Sequence, residues 1–515
     1  MISTTSRSTA PGQHDAVRKQ IRGSGLLLAG RILSTGIVFL AQVLIVRQLS
    51  TADYGAFAYA LAIVNACQAF STLGLHKSIS RFVPIYQEQR DKDRIAGTIA
   101  LSIGVIGVTL LLIGVLLLAL PDRVLHSLDH GQQAVTIISI LIFLVPIEAF
   151  NEVLISLFAS FGRPREIFFR SHVVGPVLRL TAVLALMVLH AGAVFLAIGY
   201  LVASLLGVLL YTVVLARYIA ERGLFEGVRL STIKVPAREM FSFAVPILTS
   251  EFVTGSMMSA VAVLLLGHYH GLTQVAIYRV AVPAARVNLT VMASFSLLYT
   301  PLAARLFAKA DYEGLNQLYW RTTAWITVLT FPIFVVTFSL SKPLTDLLYG
   351  SRYDASANIL ALLSLGSYFN VALGFNTLTL RVFGKLRSII VVNITGAIAN
   401  LVLSFALIPR YGAMGAAVAT TLSMILLNVI TQFALRTAPG FRMLNMQYAP
   451  VYLFVTGGSL GLLALQAFAS PNRYIAAALA VVICAAVFAF CKGHLRLVES
   501  FPELMRIPVL RAIFA

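Results

Sequence analysis

Two arginines, Arg279 and Arg286, lie in the apolar stretch 275–307, which is long enough to cross a bilayer. An arginine at membrane depth costs about 2.5 to 3.5 kcal/mol on insertion scales, so such side chains usually face a protein interior or an aqueous cavity. Because the two residues are seven positions apart, they fall on one face of a helix, about two turns from each other. The pair therefore predicts a cationic wall, and planar guanidinium groups can bind phosphate oxygens with two hydrogen bonds each.

Charged residues at membrane depth recur along the chain. Seven are predicted there: Arg31, Glu148, Glu152, Arg179, Glu251, Arg279 and Arg286. If all faced lipid, they would cost on the order of 20 kcal/mol, more than the net stability of a typical protein, so most must face a polar interior. Lumenal anion binding is predicted for Arg31, Arg279 and Arg286 as a group, and for Arg179. The alternative is that the arginines pair with the three glutamates and hold helices together.

The glutamates suggest a second kind of chemistry. Glu148 and Glu152 are one helical turn apart, so their carboxylates share a face. Two nearby carboxylates in a low dielectric tend not to ionise together, which makes proton coupling plausible at this pair and at Glu251. A salt bridge to a neighbouring arginine is the alternative for all three residues, and sodium or the membrane potential are alternative driving forces.

Amides and prolines at membrane depth complete the set of candidates. Six amides could contact sugar hydroxyls, although hydrogen bonds between helices are the alternative: Asn65, Gln68, Asn151, Asn288, Asn370 and Asn376. A proline frees a backbone carbonyl and allows a bend. Pro246 and Pro283, in the helices nearest the arginine pair, are the hinge candidates.

The composition requires a membrane protein. Of 515 residues, 59% are hydrophobic and only 11% are charged, and the mean hydropathy is +0.88. We place fourteen apolar segments, at 24–46, 55–76, 96–120, 134–160, 172–189, 193–216, 241–267, 274–299, 322–341, 355–380, 388–408, 413–435, 449–468 and 474–491. The expected fold is therefore an all-α integral membrane protein of about 14 transmembrane helices.

The distribution of basic residues sets the orientation. With the amino terminus inside, 29 of the 39 lysines and arginines fall on the cytoplasmic side and six on the other. Both termini are then cytoplasmic. The net charge of +19 is explained by these loops, so nucleic acid is not expected as a partner.

An internal repeat appears when the halves are offset by about 222 to 224 residues. GRPREIFFRSHVVGPVLRL matches GKLRSIIVVNITGAIANLV, and HAGAVFLAIGYLVASLLG matches RYGAMGAAVATTLSMILL. Six spans repeating as six spans give two parallel lobes, a plan used for alternating access. The predicted organisation is a cytoplasmic tail, N-lobe, cytoplasmic linker, C-lobe, two extra helices and a cytoplasmic interfacial tail, at 1–23, 24–216, 217–240, 241–435, 436–491 and 492–515 respectively.

Three segments carry a family resemblance: LSTADYGAFAYALAI, LLLGHYHGLTQVAIYRVA and IPRYGAMGAAVATTLS. They resemble the Wzx-type flippases of bacterial polysaccharide biosynthesis, in the multidrug/oligosaccharidyl-lipid/polysaccharide superfamily. The resemblance covers about 24–435. It implies a two-lobed helical bundle that moves an undecaprenyl-diphosphate-linked oligosaccharide across the inner membrane for surface or exopolysaccharide synthesis, including lipopolysaccharide. In the related lipid II flippases, arginines of the first and eighth helices line the cavity, which implies this role for Arg31 and Arg279.

The resemblance also implies a bacterial inner-membrane location, with membrane lipids around the protein and a polysaccharide polymerase and chain-length regulator as possible partners. The alternative function is a multidrug or organic-cation antiporter of the same superfamily. Four arginines against three glutamates favour an anionic substrate over a cationic drug. No Walker A loop, GxSxG elbow, HExxH pair or Cys/His cluster is present, so neither an enzyme nor a cofactor or metal site is expected.

Overall fold

The computed structural model describes residues 30, 33–119, 131–223, 226, 228–229, 232–254, 256–443, 445–469 and 473–495. Within these ranges the regular structure is helical, with no strand. The expected all-α fold is therefore confirmed. The chain divides into two compact units, and the boundary along the sequence falls between residues 252 and 253. The sequence boundaries of tails, lobes and linker stay predictions.

The first unit is built from ten helices of the described chain, the last of which continues past the junction. In order they are α1 (Leu33–Gln48), α2 (Thr51–Ser71), α3 (Leu75–Glu88), α4 (Lys92–Ala119), α5 (Gly131–Leu141), α6 (Leu144–Ser160), α7 (Pro164–Phe168), α8 (Gly175–Val188), α9 (Ala193–Glu221) and α10 (Ala237–Thr254). A π-helical turn, Phe169–Val174, joins α7 to α8. The core of this unit includes Leu75, Leu154 and Phe158, so α3 and α6 pack together through apolar side chains.

The second unit follows with nine helices. They are α11 (Ser256–Arg286), α12 (Leu289–Ala308), α13 (Tyr312–Phe338), α14 (Ser341–Tyr349), α15 (Ala355–Leu373), α16 (Asn376–Val382), α17 (Leu386–Leu435), α18 (Ala449–Ala469) and α19 (Arg473–Leu495). Its core contains Trp325 and Phe331 of α13 together with Val451 of α18 and Val487 of α19. The two helices outside the sequence repeat therefore pack against the second unit.

Kinks in α11 and α17 fix how these two helices lie against each other. Gly271 of α11 has φ +77° and Gly412 of α17 has φ +55°, a left-handed region that favours glycine. At the α17 kink, the His270 ring donates to the Ile408 carbonyl at 2.8 Å, and Gln274 Oε1 accepts from the Ala413 N–H at 3.2 Å. Side chains of α11 thus satisfy backbone groups that the kink frees.

Helix bounds differ from the sequence segments at several places. Nine helices among the described residues are long and apolar enough to cross a membrane, or ten if a bent pair in α12 counts as one span. The number fourteen therefore stays a prediction. One reason is that α17 covers two predicted segments, 388–408 and 413–435, on either side of its kink. The segment expected at 322–341 starts earlier, because Asp311 accepts a hydrogen bond from the Gly314 N–H at 2.8 Å and caps α13.

Candidate functional site

A cavity of about 580 Å³ lies inside the second unit, between α11, α15 and α17. This volume is within the usual range for small-molecule sites. Its polar lining consists of Tyr278, Arg279, Arg286, Ser367, Asn370, Asn393, Asn400, Thr420, Ser423 and Asn428. The cavity therefore combines two guanidinium groups with amides and hydroxyls, inside a unit that the sequence marks as largely apolar.

Arg279 and Arg286 both line this cavity, as their seven-residue spacing on one helix requires. Tyr278 shares the wall, and its hydroxyl lies 3.1 Å from Thr420 Oγ1 of α17. Within the described part of the chain, neither arginine forms a salt bridge or hydrogen bond. The two guanidinium groups therefore face the cavity without a salt-bridge or hydrogen-bond partner among the described residues.

Carboxylates of the second unit lie elsewhere. Its four described acidic residues are Asp311 and Glu313 at the start of α13, Asp346 in α14 and Asp354 immediately before α15. None of them lines the cavity. The electrostatic balance of the cavity is accordingly cationic, which favours an anionic ligand.

Only one of the six predicted amides, Asn370, lines the cavity. Asn393 and Asn400 were missed, although their seven-residue spacing in the segment 388–408 has the same periodicity as the arginine pair. Asn428, also missed, is 3% exposed and donates to the Met424 carbonyl at 2.9 Å. The signal was present for the first two residues, but only the packing of α17 against α11 shows that they share a cavity with the arginines.

Two other predicted amides hydrogen bond within the helical core. The Asn288 amide donates to the Ala285 carbonyl and to Thr337 Oγ1, each at 3.0 Å. The Asn376 amide donates to the side-chain oxygen of Asn428 at 3.2 Å and to its carbonyl at 3.3 Å. Both geometries match the alternative given for these residues, hydrogen bonding between helices.

In the first unit, Glu148 and Arg179 form an ion pair with an N···O distance of 2.5 Å. Ser204 donates to the same carboxylate oxygen at 3.0 Å, and Asn151 donates to the other at 3.3 Å. The side chain of Glu148 is 16% exposed and that of Arg179 is 39% exposed. This geometry matches the alternative given for Arg179, in which the arginine pairs with a glutamate and holds helices together. The Glu148 carboxylate accepts hydrogen bonds from three donors.

A further arginine, Arg170, is buried beside this ion pair. The predicted segments 134–160 and 172–189 leave Arg170 between them, whereas the structure includes it in a helical stretch from Pro164 to Val188 that runs through the π-helical turn. The Arg170 side chain is 6% exposed and its guanidinium carbon lies 5.9 Å from the Tyr211 ring centre. A Cβ added at Gly207 would lie 3.1 Å from the guanidinium, so this glycine makes room for it.

The remaining candidates are dispersed. Asn65 and Gln68 are half-buried on α2, and Glu152 is half-buried on α6 one turn after Glu148. Arg31 lies outside the described residues, and the side chains of Glu251 and Pro246, on α10, also lie outside them. α11 continues through the hinge candidate Pro283 and ends at Arg286, where i to i−3 bonds such as Val287 N–H to Ala284 C=O replace the helical pattern.

The fold is similar to that of solved membrane transporters. The chain superimposes on a lipid II flippase in its inward closed conformation with a TM-score of 0.67 and 15% identity, covering 91% of this chain and 99% of that one. An inward-facing multidrug resistance transporter of the same superfamily gives a TM-score of 0.62 at 13% identity, covering 78% and 94%. At these identities the likeness shows the fold, so the chain has the helical architecture of these membrane transporters.

The family follows from the sequence match. A family model described as polysaccharide biosynthesis protein matches residues 44–358, and the chain belongs to that family. The resemblance to Wzx-type flippases is thereby confirmed. An uncharacterized membrane protein of Methanocaldococcus jannaschii is 20% identical over 453 residues, 84% of this chain and 87% of that protein.

Proposed function

We propose that this protein flips an undecaprenyl-diphosphate-linked oligosaccharide across the bacterial inner membrane by alternating access, for surface or exopolysaccharide synthesis. Two arginines, Arg279 and Arg286, support the proposal most directly. Both line the 580 Å³ cavity, and neither pairs with a carboxylate among the described residues. A diphosphate supplies the missing negative charge. Its oxygens match the paired donors of guanidinium groups.

The rest of the cavity fits a glycan better than a cationic drug. Amides and hydroxyls of α15 and α17 line the cavity with the arginines, and sugars offer hydroxyl groups for such side chains. A cationic drug would meet two positive charges and none of the described acidic residues of the second unit. Arg31 is proposed as a further phosphate contact, with Glu152 and Glu251 for ion coupling.

The test is leaflet-to-leaflet movement of a fluorescent undecaprenyl-diphosphate oligosaccharide in liposomes carrying the purified protein. Arg279→Ala and Arg286→Ala should each slow movement about 10- to 100-fold, because each removes charge-assisted hydrogen bonds worth about 1.5 to 3 kcal/mol. Lysine at either position should rescue only in part, since it keeps the charge without the planar fork. Arg321→Ala is the matched control, because Arg321 is exposed on α13 and does not line the cavity.

Two results would contradict the proposal. If the labelled lipid moves at the wild-type rate in both alanine variants, the arginine pair does not bind the substrate during transport. No movement by the wild type, together with uptake of a cationic dye driven by a proton gradient, would identify a drug antiporter instead.

A further inference from the structure

Three amide side chains in the cavity have no hydrogen bond to any other described residue: Asn370, Asn393 and Asn400. Asn400 is the most informative, because it is only 5% exposed. Its amide oxygen and nitrogen are nevertheless not among the buried polar atoms that lack a partner, so they remain accessible from the cavity. Asn376 and Asn428 show the usual outcome in this unit, because they are hydrogen bonded to each other. The three amides of the cavity, in contrast, keep donors and acceptors available to a bound molecule.

The placement of the amides is specific to the cavity. Asn393 and Asn400 are two turns apart on α17, so both lie on the face that the cavity contacts. Gly396 lies between them and also lines the cavity. A Cβ at Gly396 would come within 2.6 Å of Leu427 Cδ1, so glycine allows the two halves of the kinked helix to approach closely behind the amides. Asn370 joins this set from the last turn of α15.

We infer that Asn370, Asn393 and Asn400 form a subsite for the sugar directly attached to the diphosphate, and that they recognise its hydroxyl or acetamido groups. The inference rests on the proposed function, because the arginines that share the cavity fix the position of the diphosphate. Each amide offers donors and an acceptor, the combination that vicinal hydroxyls and acetamido groups can match at once. The subsite makes the protein selective for a glycosylated lipid over the bare lipid diphosphate.

The experiment measures equilibrium binding of two probes to the full-length protein in nanodiscs by native mass spectrometry. The probes are undecaprenyl diphosphate and undecaprenyl diphosphate carrying one N-acetylhexosamine. The wild type should prefer the sugar-bearing probe by about tenfold, the equivalent of two ordinary hydrogen bonds. Asn393→Leu and Asn400→Leu should each reduce this preference to about twofold, with affinity for the bare probe held within about twofold.

Two comparison variants separate the sugar subsite from the diphosphate site. Asn358→Leu makes the same chemical change at an exposed position of α15 outside the cavity and should keep the wild-type preference. Arg279→Ala should lower the affinity for both probes equally. Should Asn400→Leu fail to fold, Asn393→Leu carries the test, because Asn393 is only half-buried.

The outcomes distinguish the sugar subsite from the diphosphate site on which it rests. An equal affinity of the wild type for the two probes would overturn the sugar subsite, and so would an unchanged preference in folded Asn393→Leu and Asn400→Leu proteins. If Arg279→Ala leaves the affinity for both probes unchanged, the proposed diphosphate site is wrong. A lost preference in the leucine variants, with the bare probe still bound, supports both.

Discussion

Replacing Glu148 by glutamine tests whether the ion pair of the first unit stabilises the fold. The carboxylate accepts hydrogen bonds from Arg179 at 2.5 Å, from Ser204 at 3.0 Å and from Asn151 at 3.3 Å. Glutamine keeps the size of the side chain and one acceptor oxygen but removes the negative charge. Because buried Arg170 interacts electrostatically with the same carboxylate, the substitution leaves two cations beside a neutral group.

The expected loss of stability depends on how deeply the two side chains are buried. Removing one partner of a buried ion pair costs about 3 to 5 kcal/mol. Arg179 is 39% exposed and keeps part of its hydration, so we expect Glu148→Gln to lower the free energy of unfolding by about 2 kcal/mol. Arg179→Gln should cost about 1 kcal/mol, since Glu148 retains Ser204 and Asn151 as donors. The double variant should cost about 1 kcal/mol less than the sum of the two.

The measurement is a double-mutant cycle by reversible denaturation in mixed micelles. The pair Arg163 and Glu166 is the matched control, because its side chains are 40% and 20% exposed and its N···O distance is 2.8 Å. Its coupling energy should be below about 0.5 kcal/mol, since the two residues are only three positions apart and do not join distant helices. If the Glu148–Arg179 coupling is no larger than that of the control, the ion pair does not stabilise the helices. If the double variant is stable but inactive in transport, the pair has a mechanistic role that its contacts do not explain.

Two further substitutions test the fold. Gly374→Ala should destabilise the protein by more than about 3 kcal/mol, seen as loss of folded protein in detergent, because φ is +62° and the new Cβ would lie 2.3 Å from Thr323 Oγ1. Tyr86 donates to Glu239 at 2.8 Å, and burial followed by this contact raises its pKa to about 12. The stability difference between wild type and Tyr86→Phe, about 1 kcal/mol, should therefore be present below pH 10 and be lost between pH 10 and 12 in denaturation series, because the tyrosine ionises more readily in the unfolded chain.

Helical periodicity was enough to predict part of the site. A seven-residue spacing depends only on the geometry of one helix, so Arg279 and Arg286 were correctly expected on one face. Which other side chains share that face depends on how α11 and α17 pack. That packing is set by hydrogen bonds at two kinks, and the positive φ of Gly412 is not readable from composition. Asn393 and Asn400 were missed for this reason.

Backbone geometry at kinks and helix ends accounts for the other differences between the predicted segments and the observed helices. IPRYGAMGAAVATTLS was recognised as a family pattern, but its physical role appears only in the structure. Gly412 forms the kink, and a Cβ at Gly415 would lie 2.3 Å from the Leu407 carbonyl oxygen. Arg170 lies two residues before the predicted segment 172–189, yet a π-helical turn continues the helix through it. Bilayer length and hydropathy do not detect such a turn.

The two repeats differ in how they treat buried charge. In the first unit Arg179 has Glu148 as a partner, so its charge is compensated within the fold. In the second unit Arg279 and Arg286 line the cavity with no such partner among the described residues. An uncompensated cation pair lowers the stability of the empty protein, and an anion that binds there returns that free energy as affinity. The sequence repeat therefore does not imply that the two units compensate buried charge in the same way.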